Sequence, residues 1–422
     1  PREGPGTVAT GPSSARSPTN LPLQLTSFVG RERERALVRS HLATAHLVTL
    51  TGVGGGGKTR LALQVAFDCL DDFPGGVWWT EMAALDDGSL VPQAVAASLN
   101  LRGEFGRDLT ETVLDTLRDL RALLIFDNCE HVAANSAHLA ETILRACPHI
   151  TILATSRELL NIPGETPISV PSLSVPEVVA SRNGASGGGP DQIADYEAVR
   201  LFVERASVTD PTFALTEANA AIVARICQRL DGIPFAIELA AARVKVLSVE
   251  QVAARLDDRF HLLVGGSRTA LPRNRTMRAT LDWSHDLLAA DERVLFRRLS
   301  VFARDFTLDA AEAVTPGLCP NDPIRHSDVL DLLSHLVDKS LLERRQRVEG
   351  AAARYRMLET VREYAREKLV AAGEVETAQR RHLQWFLALA QEAAAGMRGP
   401  RQGEWLDRLE LEHENLRNAL AW

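Results

Sequence analysis

Residues 47–59 read LVTLTGVGGGGKT, a short β-branched apolar run that breaks into glycines and ends in Lys-Thr. Gly52, Gly57, Lys58 and Thr59 satisfy the spacing G-x-x-x-x-G-K-[ST] of a phosphate-binding loop. The chemistry explains the residue types. Glycines let successive backbone N–H groups curl into one concavity, and a helix starting at the end of the loop offers its unsatisfied donors and positive dipole end to the same anion. In such a loop Lys58 reaches the β and γ phosphates of a nucleoside triphosphate and Thr59 sets its hydroxyl on Mg²⁺. Gly54, Gly55, Gly56 and Gly57 form an unbroken run, more than the motif needs, so the loop loses more entropy on ordering around a phosphate.

Two further runs end in residues that can act there. ALLIFDN (122–128) places Asp127 at the carboxyl end of a buried strand, where a P-loop site keeps its Mg²⁺-organising acid. Asn128 follows where hydrolytic proteins often carry a second acid, which points to slow or gated hydrolysis. Glu130 is read as a solvated loop carboxylate in preference to a substitute base. The run ITILATS (150–156) leads through Thr155 and Ser156 to Arg157, a cation placed to reach the γ phosphate and report its presence. Lys58, Asp127 and Arg157 are thus the expected catalytic set, Thr59 and Asp127 the metal side, and ATP or ADP with Mg²⁺ the expected ligands. Trp78 and Trp79 lie within an apolar strand and read as core. His131 and His335 have no companions at metal-ligand spacing.

The elements that must position these residues alternate: LVTLT (47–51), GVWWTEM (76–82), ALLIFDN, ITILATS and PISVPS (167–172) as strands, with helical runs between them. This pattern predicts an α/β domain over 21–181, a parallel sheet with helices on both faces and its ligand at the carboxyl ends of the strands. Residues 1–20, rich in Pro, Gly, Ser and Thr, read as a flexible lead. RNGASGGGP (182–190) reads as a linker into an all-helical domain, 182–264, with helical spacing at 197–206, 217–230, 234–246 and 249–256. A second linker, GGSRTALPRNR (265–275), opens a domain over 265–366. Helices around 277–288, 291–301 and 327–340, then a hairpin at 341–348 and 354–358, suggest a winged helix there. Residues 367–422 carry two amphipathic helices, around 377–396 and 402–421, as in the first unit of a TPR-like helical array.

Bulk composition narrows the function classes. The 422 residues are 45% hydrophobic and 24% charged, with no apolar run long enough for a bilayer, which argues against a membrane-embedded role. A net charge of -8 argues against a nucleic-acid surface over the whole chain, leaving a local basic set on the hairpin: Arg344, Arg345, Arg347, Arg354 and Arg356. Five scattered cysteines without a C-x-x-C pair indicate neither a disulfide framework nor a zinc site and fit a reducing cytoplasm.

Five motifs in order, SFVGRERE (27–34), GVGGGGKT, LLIFDNCEH (123–131), ILATSRE (152–158) and DGIPFAIELAAAR (231–243), resemble the nucleotide-binding module of the NB-ARC/STAND class of signalling ATPases. LDWSHDLLAADERVLFRRLSVF (281–302) and YRMLETVREYA (355–365) extend the resemblance to roughly residues 21–422. The wording is similar to the ATP-binding core of large actinobacterial transcriptional regulators of the LuxR and SARP types. The resemblance implies that Val29, Gly30 and Arg31 lie against adenine, that Gly52 to Thr59 with the adjoining Arg60 hold the phosphates, and that Pro234 packs on the base. It also implies a switch, closed with ADP and opened by ATP, with self-association on activation. Its DNA-reading domain would lie outside these residues, and its protein or small-molecule signal is not identified by the sequence. Two departures stand out. In place of the family's Met-His-Asp motif, which contacts the ADP β phosphate, the chain has Met357, Leu358 and Glu359, and Leu358 cannot donate the histidine's hydrogen bond. Val53 and Gly56 replace the proline and the bulkier residue usual in the loop. Two alternatives remain: an AAA+-like ATPase that turns over continuously, and a winged helix that binds DNA directly.

Overall fold

The computed structural model describes residues 17–422 except 25, 84, 86, 102–107, 177–189, 257–276, 319–321, 346–351, 399–400 and 422. Most of the lead, the expected linkers apart from Pro190, Cys319 and Arg347 therefore lie outside the described residues.

Helix α1 (Glu32–Leu42) leads into β1 (Leu47–Thr51), and the glycine loop joins β1 to α2 (Lys58–Asp68). Then follow β2 (Val77–Glu81), α3 (Val91–Ser98), α4 (Leu109–Leu117), β3 (Leu123–Asp127), α5 (Ala133–Ala146), β4 (Thr151–Thr155) and β5 (Glu165–Ser169). The strands pair in parallel in the order β2-β3-β4-β1-β5. Every residue of β3 and β4 is buried, because helices cover both faces of the sheet and the strands can be apolar throughout. On one face Val91, Val95, Val113 and Ile143 pack with Leu124, Phe126 and Ile152; on the other Val38, Leu61 and Val65 pack with Val48, Ile125 and Leu153. Trp79 belongs to the second core and is 9% exposed.

The lead is corrected at its end. Pro18, Thr19 and Asn20 run along the open edge of β2: the Pro18 carbonyl accepts from Val77 N at 3.0 Å, and the Asn20 side chain accepts from Trp79 N and donates to the Trp79 carbonyl. An edge strand offers unpaired backbone groups, and these three residues satisfy them.

The helical segment holds α6 (Pro190–Ala194), α7 (Glu197–Thr209), α8 (Glu217–Arg229), α9 (Pro234–Ala241) and α10 (Val249–Arg255). Pro234 stands at the start of α9, where its missing N–H costs nothing. The winged segment contains α11 (Met277–Asp286), α12 (Ala290–Leu299), β6 (Phe306–Thr307), α13 (Leu308–Val314), α14 (Val329–Asp338), β7 (Glu343–Arg345), β8 (Arg354–Arg356) and α15 (Glu359–Ala371). Its antiparallel sheet has the order β6-β8-β7. The short β6, α13 and α15 are additions to the elements expected from sequence. Helices α16 (Val375–Gly396) and α17 (Gln402–Leu420) pack against each other at the end.

One apolar core runs from Leu173 through the helical and winged segments to Ala419. Two ionic clusters tie the last helices to the winged segment. Arg298, fully buried, donates to Glu374, Asp322 and the Thr315 carbonyl, and Arg354 pairs with Glu412. No described helix is long and apolar enough to cross a membrane.

Candidate functional site

At the carboxyl end of β1 the chain turns through Gly52 and curls so that Gly56 N donates to the Val53 carbonyl at 3.1 Å. Gly57, with φ 86°, occupies the left-handed region that glycine enters without strain, and α2 begins directly after it. Gly54 is needed for another reason. A Cβ there would lie 2.8 Å from Thr280 Cγ2 and 3.3 Å from Arg157 Nη2. The four-glycine run, expected to leave the loop loose, is instead pinned from outside: the Gly55 carbonyl accepts from Phe235 N at 3.2 Å and the Gly56 carbonyl from Arg31 Nη2 at 2.5 Å.

Lys58, half-buried, donates to the carbonyls of Gly52 and Val53 at 2.7 and 3.1 Å. Desolvation lowers its pKa to about 8, more strongly than nearby carboxylates raise it. Asp127 ends the buried strand β3, and its Oδ1 accepts from both Thr59 Oγ1 (2.8 Å) and Thr155 Oγ1 (2.6 Å). Burial raises its pKa to about 6, against the pull of those two hydroxyls. Thr155 also accepts from Asn128 N at 2.9 Å, so one hydroxyl fixes both the acid and the turn after it. Among the described residues no group of three or more His, Cys, Asp or Glu is placed to hold a metal. A hydroxyl and a carboxylate side by side fit Mg²⁺, which takes one or two protein oxygens and completes its shell with phosphate and water.

Arg157 is buried and reaches across the loop. Its Nε lies 3.2 Å from Glu130 Oε1, its Nη1 donates to Ser284 Oγ, and its carbonyl accepts from Ser340 Oγ at 3.1 Å. This corrects the reading of Glu130, whose side chain is 5% exposed and is held by the guanidinium that packs over it. It also moves the contact between winged segment and loop. Leu358 is buried before α15, and Thr360 holds Asp231 through its N (2.8 Å) and Oγ1 (3.0 Å). On α11, Thr280 lies against Gly54 of the loop, and Ser284 reaches it through Arg157. They stand four apart on one helix face, a small-hydroxyl pair that local pattern gave no reason to single out.

These groups surround a cavity of about 350 Å³. Val29, Arg31, Gly54 to Gly57, Lys58, Thr59, Arg60, Asp127, Arg157 and Pro234 line it. Gly30 and Gly52 lie behind the wall, with Gly30 pressed on Glu197 and Gly52 on the Val170 carbonyl. Leu173, Leu201 and Phe235 join Val29 and Pro234 in its apolar lining, and Glu81 lines it too; sequence reasoning had assigned none of these four a role. Arg31 is 3% exposed, and its Nη1 is buried without a hydrogen-bond partner. The Arg60 guanidinium is engaged with Glu238 and with the carbonyls of Thr26 and Ser27, and Arg205 joins the same carboxylate.

The hairpin arginines separate. Arg344 and Arg345 are exposed, Arg356 is half-buried, and Arg354 is buried against Glu412. The exposed side of α14 presents Leu330, Asp331, Ser334, His335 and Asp338.

A family match in known proteins agrees with the winged segment. A family described as a winged helix-turn-helix domain matches residues 288–370. The "Putative HTH-type transcriptional regulator Rv0890c" of Mycobacterium tuberculosis is 42% identical over 388 residues, covering 91% of this chain, which spans 40% of that protein's length. The regulatory protein AfsR of Streptomyces coelicolor is 27% identical over 376 residues, with 83% of this chain and 33% of AfsR covered. Among solved structures, a STAND protein with a tetratricopeptide repeat sensor from Pyrococcus horikoshii has a TM-score of 0.35 at 16% identity, covering 94% of this chain and 53% of that one. A Walker-type ATPase of Pyrococcus abyssi has a TM-score of 0.48 at 14% identity, covering 80% and 95%. The uncharacterized protein Rv0894 of Mycobacterium tuberculosis is 38% identical over 379 residues, which are 89% of this chain and 90% of that one. With almost the full length of both proteins aligned at that identity, the chain belongs to the family of Rv0894.

Proposed function

We propose that the chain is the nucleotide-responsive core of a transcriptional regulator of the NB-ARC/STAND kind, in which bound ADP or ATP sets how residues 21–181, 182–264 and 265–366 are held together. The observation that carries this reading is the convergence of three segments on one loop: Gly56 on Arg31, Gly55 on Phe235 and Gly54 on Thr280. A ligand pressing on that loop acts on all three contacts at once.

In this reading Val29 and Pro234, with Leu173 and Leu201, face the base, and the loop N–H groups with Lys58 hold the phosphates. Thr59 and Asp127 hold Mg²⁺, which supplies positive charge at the phosphate oxygens. Arg157 exchanges Ser284 for the γ phosphate. Hydrolysis is slow or gated, since Asn128 follows the acid and Glu130 is engaged by Arg157. The regulators it matches are longer, and we assign DNA reading and signal sensing to their other parts, with self-association as the response and the cytoplasm as the compartment.

The test is to denature the purified chain, identify released nucleotide by chromatography, and titrate Mg-ATP into the emptied protein. One ADP per chain, or saturable Mg-ATP binding, supports the reading. Lys58→Ala should abolish binding; undiminished affinity in that variant would remove the site from this loop.

Direct DNA binding by the winged segment is the second reading, favoured by the family match over 288–370 and by the exposed Arg344 and Arg345. Asp331 and Asp338 on the exposed side of α14 oppose it, because they would face phosphate. A salt-dependent shift of duplex DNA by this chain alone would favour it.

A further inference from the structure

A P-loop site that hydrolyses needs a group to orient and deprotonate the attacking water. The two positions where sequence would seek it are disqualified here. Asn128 has no basic carboxylate, and Glu130 is buried with its carboxylate held 3.2 Å from Arg157 Nε. The neighbouring strand supplies a third position. Glu81 ends β2 in direct register with Asp127 at the end of β3. Laterally paired residues of adjacent strands project to the same face, so Glu81 and Asp127 share a side of the sheet. Glu81 lines the same cavity as Lys58, Thr59 and Asp127. Its side chain is exposed, and among the described residues none pairs with its carboxylate.

We propose that Glu81 is the general base of a slow triphosphate hydrolysis in this cavity, an assignment that rests on the nucleotide reading above. The water oxygen forms a bond to the γ phosphorus as the bond from that phosphorus to the β–γ bridging oxygen breaks. Nucleoside diphosphate leaves with the bond's electron pair, and the water proton passes to the Glu81 carboxylate, which later returns it to phosphate or solvent. Asp127 keeps its role on the metal side, so the two carboxylates are divided between adjacent strands. Water reaches Glu81 because its side chain is exposed, and the base is not one that Arg157 must first release.

The experiment loads the full chain and Glu81→Gln with Mg-ATP, follows the identity of bound nucleotide by denaturation and chromatography, and measures Mg-ATP affinity across a Mg²⁺ titration. The glutamine variant is expected to bind with wild-type affinity and wild-type Mg²⁺ dependence and to convert ATP to ADP about 100-fold more slowly or worse. Glu81→Asp, one methylene short, should recover part of the rate. Wild-type conversion by Glu81→Gln overturns the assignment, and so does a changed Mg²⁺ dependence, which would make Glu81 a metal ligand. Wild-type protein that binds Mg-ATP and never hydrolyses it also overturns Glu81 as base but leaves the switch reading standing. Failure of the wild-type chain to bind any nucleotide defeats both.

Discussion

The ammonium of Lys58 donates to the carbonyl of Gly52 at 2.7 Å, folding back onto the loop it terminates. Desolvation lowers its pKa from 10.5 to about 8, so between those values the unfolded chain holds the proton more firmly than the folded one. At neutral pH the charged Lys58 therefore subtracts from stability in the absence of an anion. Lys58→Met should melt at a higher temperature than wild type without nucleotide, and should lose the rise that Mg-ATP gives the wild-type chain. Thermal scans with and without Mg-ATP check both halves. A lower melting temperature for the ligand-free variant would mean that the two carbonyl bonds outweigh the desolvation.

Ser284 joins the winged segment to the loop through Arg157, a hydrogen bond to a charged donor between residues 127 positions apart. Such bonds contribute roughly 1.5–3 kcal/mol. Ser284→Ala should release part of that clamp while Glu130 still holds the guanidinium. Dissociation of a fluorescent ADP analogue should then accelerate by about tenfold or more, with the far-UV spectrum unchanged. An unaltered dissociation rate would show that Thr280 and the shared apolar core close the segment without Ser284.

The strands and the loop were legible because their signals are local. LVTLT and LLIFD are dominated by apolar residues, as strands covered on two faces are, and the glycines, Lys58 and Thr59 carry their spacing within eight residues. Thr155 was visible as the end of a strand, but its hydroxyl on Asp127 depends on β3 and β4 lying side by side. Glu130 read as a solvated carboxylate because its partner Arg157 comes from another strand end. Asn20 on Trp79 and Ser284 on Arg157 were illegible for the same reason at longer range: each pairs groups from distant parts of the chain, and hydrophobic periodicity says nothing about which surfaces meet. Leu358 illustrates the converse. Its departure from the family motif was plain in sequence, but only the fold reveals that the turn it belongs to grips Asp231 while α11 takes the loop.

Asp127 gives the ligand-free protein a pH dependence of known sign. Burial raises its pKa from 3.8 to about 6, so between those values the folded state binds the proton more firmly and stability falls as pH rises. Above that window ionised Asp127 costs on the order of 3 kcal/mol. Asp127→Asn should remove this dependence and stabilise the empty chain at pH 7 while weakening the Mg²⁺ requirement of ATP binding. Denaturant midpoints at pH 5 and pH 7 with and without the substitution measure the first effect. Binding titrations with and without Mg²⁺ measure the second, and an unchanged requirement would place the metal elsewhere.

Arg354 tests whether the hairpin arginines form a DNA surface or a structural joint. Its guanidinium pairs with Glu412 on α17, both side chains buried, and donates to the Asp305 carbonyl at 2.7 Å. Removing one member of a buried pair strands the other charge, at a cost of roughly 3–5 kcal/mol. Arg354→Ala should therefore lower the denaturant midpoint sharply and expose α17 to protease. Arg344→Ala and Arg345→Ala, on the exposed strand, should leave the midpoint within about 0.5 kcal/mol of wild type. Double replacement of Arg354 and Glu412 by Met and Leu should recover much of the loss, because a buried ion pair exchanged for apolar side chains leaves no unpaired charge. If Arg354→Ala instead kept wild-type stability and weakened binding to duplex DNA, the arginine would belong to a nucleic-acid surface and α17 would not be clamped through it.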